Sequence, residues 1–275
     1  EPTAVEAALK ANPEARYLAF VHAETSTGAL SDAKTLCALA QQYDCLSIVD
    51  AVTSLGGVEL KVDDWEIDAI YSGTQKCLSC IPGLSPVSFS SLAVEKIKQR
   101  SQKNFSWFLD LNLVMDYWGA NVKRTYHHTA PVNSLYALHE SLLILKEEGI
   151  ENAWARHKTN HQALVLGLEA LGLEMLVDSS VRLPQLNAVK IPVGVDDAAV
   201  RTHLLEEFDL ELGAGLGKFA GNAWRIGLMG NGCSQKNVRY CIASLGSALK
   251  DQGFDCDTDV ALESVDEFYV TLQAA

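Results

Sequence analysis

The 275 residues carry 22 Lys and Arg against 35 Asp and Glu, and the resulting net charge of −13 argues against nucleic acid or an anionic membrane as a partner, since both bind basic surfaces. Apolar residues at 48% and charged residues at 21% are ordinary for a globular protein, and no apolar run approaches the roughly 20 residues that span a bilayer. Seven cysteines, an odd number at no fixed period, read as reduced thiols in an intracellular, cytoplasmic protein rather than a disulfide framework, with an organelle address left open by a start on Glu1.

Residues 16–21 are a predicted strand, followed by a polar loop over 22–28 that ends on glycine and can present hydroxyls to a ligand. Ala33, Leu36, Leu39, Ala40 and Tyr43 recur at helical spacing, with Ser31 or Asp32 as the cap. A second strand, 45–50, ends on Asp50 and runs into small residues at 51–57. A third apolar stretch, 67–70, runs into a polar turn that ends on Lys76. Strand, helix and strand in this order form a βαβ unit and imply a parallel sheet. Cys77 and Cys80 have redox-motif spacing but follow the lysine instead of opening a helix, so no redox or metal role is assigned.

Residues 86–90 are a further strand and 93–100 a basic helix. The segment 102–119 holds Phe105, Trp107, Phe108, Tyr117 and Trp118, the composition of a subunit interface. A polar loop at 126–131 carries the adjacent His127 and His128, which should point apart and lack an acidic third ligand. Two long helices with apolar stripes, 133–148 and 151–171, come next. His157 and His161 on the second have the spacing of zinc ligands without the metalloprotease glutamate, and a solvated face is expected for them. No metal is expected.

Strands at 187–191, 210–213 and 223–227 and helices at 196–208 and 234–250 read as a smaller α+β part. Gly213, Gly215 and Gly217 precede a strand rather than a helix, so they read as a flexible loop beside the active-site mouth and not as a dinucleotide fingerprint. Residues 251–275 read as an acidic, mobile tail. The expected fold is thus α/β: residues 1–150 hold a mainly parallel sheet with flanking helices that binds a cofactor, and 151–275 hold a bridging helix and the α+β part.

Two buried strands that each deliver one ionisable group at a C-terminal end, Asp50 and Lys76, are how an open α/β sheet builds a ligand site. Pyridoxal phosphate chemistry wants this pair. A lysine amine forms the Schiff base, and a carboxylate faces the pyridinium nitrogen and keeps it protonated.

The stretches Val49-Asp50-Ala51-Val52-Thr53-Ser54-Leu55-Gly56-Gly57, Tyr71-Ser72-Gly73-Thr74-Gln75-Lys76, Tyr126-His127-His128-Thr129-Ala130-Pro131 and Arg225-Ile226-Gly227-Leu228-Met229-Gly230 occur in this order. With their spacing, from about Tyr17 to Lys250, the chain resembles the alanine–glyoxylate and serine–pyruvate aminotransferases of the fold-type I, class V pyridoxal phosphate enzymes. The resemblance implies pyridoxal 5'-phosphate as cofactor, Lys76 as its Schiff-base lysine and Asp50 as the partner of its ring nitrogen. It places Val52 on the ring face, Gln75 at the phosphate and the Thr25 hydroxyl beside the ring oxygen. Tyr126 and Thr129 would reach the phosphate of a neighbouring subunit, in a homodimer with shared active sites. Arg225 would bind the substrate carboxylate. No second arginine is evident for a distal carboxylate, which favours alanine, serine or glycine as donor and glyoxylate or pyruvate as acceptor.

The family's glycine-rich helix start, whose amides cradle the phosphate, is not found before Tyr17, so the chain matches about the C-terminal two-thirds of the family pattern. Two further readings follow from the same residues. A class V lyase or cysteine desulfurase would share Lys76 and Asp50 and need a mobile cysteine, for which Cys233 is the candidate. A non-catalytic fragment of the aminotransferase would keep the residues without the activity.

Overall fold

A computed structural model describes residues 1–118, 123 and 125–273; Gly119 at the end of the aromatic segment and 274–275 of the expected tail lie outside the described residues. Helix α1 (Pro2–Ala11), an element beyond those expected from the sequence, buries Leu9 beside Ala40 and Cys45. Strand β1 (Tyr17–Val21) follows. The expected polar loop after it contains a small antiparallel hairpin, β2 (Ala23–Glu24) with β3 (Ala29–Leu30). Gly28 closes that hairpin at φ +79, where a β-carbon would stand 2.8 Å from the Leu186 carbonyl, so both conformation and space require glycine.

Helix α2 (Ala33–Gln42) starts on Asp32, whose carboxylate accepts from the Thr35 amide at 3.1 Å. It crosses to β4 (Leu46–Asp50), and β5 (Ala69–Tyr71), β6 (Val87–Phe89) and α3 (Ser91–Lys98) complete this layer, the last capped by the Ser90 hydroxyl. The sheet order is β1-β4-β5-β6. β1, β4 and β5 run parallel, with Val21 beside Asp50 and Asp50 beside Tyr71, and β6 is antiparallel to β5. A mainly parallel sheet is therefore what forms, with one antiparallel edge. Val49, Ala51, Ile67 and Ile70 pack with Cys37 of α2 on one face.

Helices α4 (Leu111–Trp118), α5 (Val132–Glu148) and α6 (Ile150–Ala170) lead to β7 (Leu186–Lys190), α7 (Asp197–Phe208), β8 (Gly213–Ala214), β9 (Ala223–Gly227), α8 (Gln235–Asp251) and α9 (Thr258–Gln273). The antiparallel sheet β7-β9-β8 lies against α6, α7 and α8, around a core that includes Leu164, Leu168, Val200, Trp224, Ile242 and Leu245. The strand expected at 210–213 is shorter and later, at 213–214.

Several expectations are corrected. Residues 258–273 are a helix, not a mobile tail: Asp257 accepts from the Asp259 and Val260 amides at its start, and Ala261, Val265 and Tyr269 recur every four residues and are buried in the larger core. That helix packs on α6 and α8, which puts a face of α6 inside the protein. Nor are His157 and His161 on a solvated face, since they face the Gly230 amide and Asn187 of β7. His157 is fully buried with Nδ1 2.7 Å from the Ala153 carbonyl, and His161 Nδ1 lies 2.6 Å from Asn187 Oδ1. The apolar stripe of α5 buries no residue among those described, and Tyr136, Leu142, Leu143 and Ile144 are exposed. Among the described residues no helix is long and apolar enough to cross a membrane.

Candidate active site

The C-terminal ends of the parallel strands β4 and β5 carry Asp50 and lead to the turn of Lys76. Asp50 ends β4. Its Oδ1 accepts from the Val52 amide at 2.9 Å and its Oδ2 accepts from the Tyr71 hydroxyl at 2.8 Å. Among the described residues each carboxylate oxygen thus has one donor, which fixes the plane of the group and leaves acceptor capacity on both atoms. The adjoining Ala51, Thr53 and Ser54 are buried, so the chain leaving Asp50 is held rigidly.

Strand β5 ends at Tyr71, and Lys76 stands five residues on in a turn rather than on a strand end. The turn has its own anchors. The Cys80 amide donates to the Thr74 carbonyl at 3.0 Å, the Ser79 amide donates to the Lys76 carbonyl at 3.0 Å, and the buried Thr74 hydroxyl donates to the Ile81 carbonyl at 2.7 Å. Lys76 is half-buried and Gln75 exposed. Gly73 leaves room for Gln75, whose Oε1 would stand 2.7 Å from a β-carbon at position 73.

Arg225 comes from β9, far away in sequence. Its Nη1 donates to the Thr25 carbonyl at 3.3 Å and its Nε to the Ala214 carbonyl at 2.7 Å. Gly213, its partner across the β8–β9 pair, has no side chain to crowd it: a β-carbon there would lie 3.5 Å from Arg225 Nη2. The stretch expected as a flexible loop therefore begins as a strand that steadies the arginine. Among the described residues Nη2 donates to no protein atom, so it remains available to an anion.

Tyr126 and Thr129 are both exposed, and their hydroxyls bond to each other at 2.7 Å. Among the described residues neither hydroxyl reaches Asp50, Lys76 or Arg225. His127 and His128 do not point apart: their Nδ1 atoms are 2.9 Å from one another, because the His127 ring is drawn onto Trp107, with centroids 4.0 Å apart and Nε2 3.0 Å from the Trp107 carbonyl. Cys233 is buried and its thiol is pushed up to about 11 by burial, which is contrary to a mobile sulfur acceptor. The partnership of Tyr71 with Asp50 has no signal in the sequence beyond the presence of Tyr71 at the start of the Tyr71–Lys76 stretch. Strand register alone reveals it.

The donor set fits pyridoxal phosphate. A cationic ring nitrogen calls for an oriented carboxylate, which Asp50 provides, and an aldehyde carbon calls for a primary amine, which Lys76 provides on a neighbouring connection.

The Aminotransferase class-V family model matches residues 1–219. The chain is 35% identical over 272 residues to the (S)-ureidoglycine–glyoxylate transaminase of Bacillus subtilis, covering 92% of this chain and 65% of that protein. It is 41% identical over 235 residues to the alanine–glyoxylate aminotransferase of Callithrix jacchus, covering 85% of this chain and 57% of that one. The crystal structure of the Bacillus subtilis ureidoglycine–glyoxylate aminotransferase superposes with a TM-score of 0.94 at 36% identity, over 98% of this chain and 69% of the other. That of an alanine–glyoxylate aminotransferase from Nostoc sp. does so with a TM-score of 0.86 at 45% identity, over 89% and 64%. The chain thus spans about 57–65% of the length of these curated relatives. It has the fold-type I architecture of its structural neighbours and belongs to the class-V aminotransferases, a family of pyridoxal 5'-phosphate enzymes.

Proposed function

We propose that the protein moves an amino group from a small amino acid, alanine or serine, to a small 2-oxo acid, glyoxylate or pyruvate. The observation that carries this reading is the bond from Arg225 to the Thr25 carbonyl. It draws a carboxylate-binding guanidinium from the C-terminal part onto the strand edge that bears Asp50 and leads to Lys76.

When bound, pyridoxal phosphate supplies an electron sink for the substrate's α-carbon and carries the amino group between substrates. Asp50 would face the ring nitrogen and hold a proton on that atom, while the Val52 amide and Tyr71 hydroxyl keep the carboxylate oriented. Lys76 Nζ would anchor the cofactor and, once free, would move a proton to and from the substrate α-carbon. Arg225 would fork onto the substrate carboxylate and so orient the substrate's α-carbon. Val52 would pack on the ring, Gln75 would contact the phosphate and Thr25 would lie beside the ring oxygen.

We take residues 1–150 as a cofactor-binding part and 151–275 as a bridging helix with a smaller part, in a cytoplasmic protein whose seven cysteines are all unpaired. A homodimer completes the reading, with Tyr126 and Thr129 serving the partner's phosphate. The exposed Phe105, Trp107, Phe108 and Trp118 and the uncovered Leu142, Leu143 and Ile144 support such an interface.

Two measurements test the core of this reading. Added pyridoxal phosphate should produce a visible absorption band that bleaches with alanine and returns with glyoxylate; serine, pyruvate and ureidoglycine serve as further arms that rank the substrates. Borohydride reduction followed by peptide mapping should place the cofactor on Lys76, and Lys76→Ala should abolish turnover. A label on another lysine, or a band indifferent to every amino acid, would refute it.

A further inference from the structure

Gly230 sits where three elements meet. It follows β9 closely, so the strand that carries Arg225 runs straight into it. Its amide donates to His157 Nε2 at 2.9 Å, and its carbonyl accepts from Arg156 Nη1 at 2.7 Å. Two consecutive residues of α6 thus hold both polar groups of one peptide unit's neighbourhood. Arg156 Nη1 also donates to the Cys233 carbonyl at 3.0 Å. Its Nε and Nη2 fork onto the Glu148 carboxylate at the end of α5, with Nη2 2.9 Å from Oε2.

The other side of Gly230 rests on the turn that carries Lys76. A β-carbon at position 230 would clash with the Ser79 hydroxyl and stand 3.1 Å from the Cys77 carbonyl and 3.3 Å from that of Lys76. The Asn231 amide donates to Ser79 Oγ at 2.8 Å, and Ser79 in turn closes the Lys76 turn through its own amide. Both facing residues are left-handed, Ser79 at φ +58 and Gly230 at φ +53. A left-handed serine persists only where its surroundings hold it, and here the Asn231 amide does so.

His157 is fully buried, and its two ring nitrogens face partners of opposite kind. The Ala153 carbonyl can only accept, so Nδ1 carries the hydrogen, and Nε2 offers its lone pair to the Gly230 amide. A buried histidine in this arrangement is a fixed acceptor. Nothing in the proposed chemistry uses it.

We propose that His157 and Arg156 are positioning residues for the reaction: from α6 they clamp the Gly230 turn onto the Lys76 turn, and so hold the carboxylate anchor Arg225 at a set distance from Lys76. The inference rests on the roles given above to Lys76 and Arg225. Losing the clamp lets the end of β9 shift against the Lys76 turn. Substrates anchored at one end by Arg225 then no longer meet Lys76 at the other, and every α-amino and α-keto acid is affected alike.

The test compares His157→Leu, which removes the acceptor, with His157→Gln, whose Oε1 can take the place of Nε2. Hydrogen exchange of the peptides containing Gly230, Asn231 and Ser79 is read on the protein with and without pyridoxal phosphate, beside KM and kcat for alanine and glyoxylate. His157→Leu should exchange at least about tenfold faster in these peptides and raise both KM values about fivefold or more, and His157→Gln should restore both to near wild type. Unchanged exchange in His157→Leu, faster exchange with unchanged KM, or a glutamine variant as impaired as the leucine one would each overturn the clamp. Should His157→Leu fail to fold, Ser79→Ala removes only the hydroxyl that meets Asn231 and runs the same comparison. A wild-type protein that turns over neither substrate would refute the functional reading instead, and the exchange results would then decide the clamp alone.

Discussion

The Tyr71 hydroxyl donates a 2.8 Å hydrogen bond to Asp50 Oδ2, and the two residues are direct partners on neighbouring parallel strands. The hydrogen bond to Asp50 is also the first reason that the Tyr71 phenol is held above its ordinary range, with burial adding to it. A hydrogen bond to a charged acceptor contributes about 1.5–3 kcal/mol when buried. Tyr71 is 42% exposed, so about 1 kcal/mol, roughly a fivefold effect, is the expected cost of Tyr71→Phe. Titration of the cofactor-free protein with pyridoxal phosphate should show affinity weakened by that factor. An unchanged affinity would mean that the Val52 amide suffices to orient the carboxylate.

Asp50→Asn keeps the shape and removes the charge that holds the proton on the ring nitrogen. The expected loss in the proton-transfer step is at least about 100-fold, near 3 kcal/mol. Single-turnover rates with alanine, followed by absorbance, measure it. Near-normal rates would take Asp50 out of the chemistry.

Arg225→Lys replaces a planar fork by a point charge. The bonds to the Ala214 and Thr25 carbonyls cannot both be kept, so the remaining cation is poorly aimed. Binding of every amino acid and every oxo acid should weaken, by about 1.5–3 kcal/mol for each charged hydrogen bond lost. If a single substrate alone were affected, Arg225 would be reading a side chain instead of the shared carboxylate.

Stability should fall on mild acidification. His22, His157 and His161 are all held below their ordinary value, with burial the first cause in each, and His22 is lowered from 6.5 to about 4. The unfolded chain therefore takes up these protons first. The histidine contribution is fully present above about pH 6.5 and is lost as pH falls towards the folded values. For His22 alone the loss between pH 6.5 and about 4 is on the order of 3 kcal/mol. Urea unfolding at pH 7 and pH 4.5 should show the drop, and His22→Gln should reduce it. The same drop in the variant would mean that His22 contributes nothing to it.

The shared-site reading predicts complementation. An inactive Lys76→Ala chain mixed with a Tyr126→Phe, Thr129→Val chain should gather both defects at one site of the mixed dimer. The other site would then join an intact Lys76 to an intact loop and recover wild-type cofactor affinity. A mixture showing only the weakened affinity of the loop variant would place the loop in its own chain's site.

The βαβ order and a helix cap at Ser31 or Asp32 were legible in the chain, because each depends on residues near in sequence: Asp32 caps through Thr35, and Asp50 simply ends the run Leu46–Asp50. The family motifs were legible for the same reason. What lies between distant segments was not. Residues 251–275 read as an acidic tail because seven of the 25 are Asp or Glu and none is Lys or Arg, and only the fold shows that Ala261, Val265 and Tyr269 meet α6 and α8. His157 looked like a solvated helical residue, since helical spacing says which residues share a face but not which face another element will cover. The tie of Arg225 to Thr25, the register that sets Tyr71 on Asp50 and the seat of Gly230 on Ser79 likewise join segments remote in sequence. Hydrogen bonds of that kind depend on the relative placement of whole elements, which burial of their apolar faces decides and local sequence does not encode.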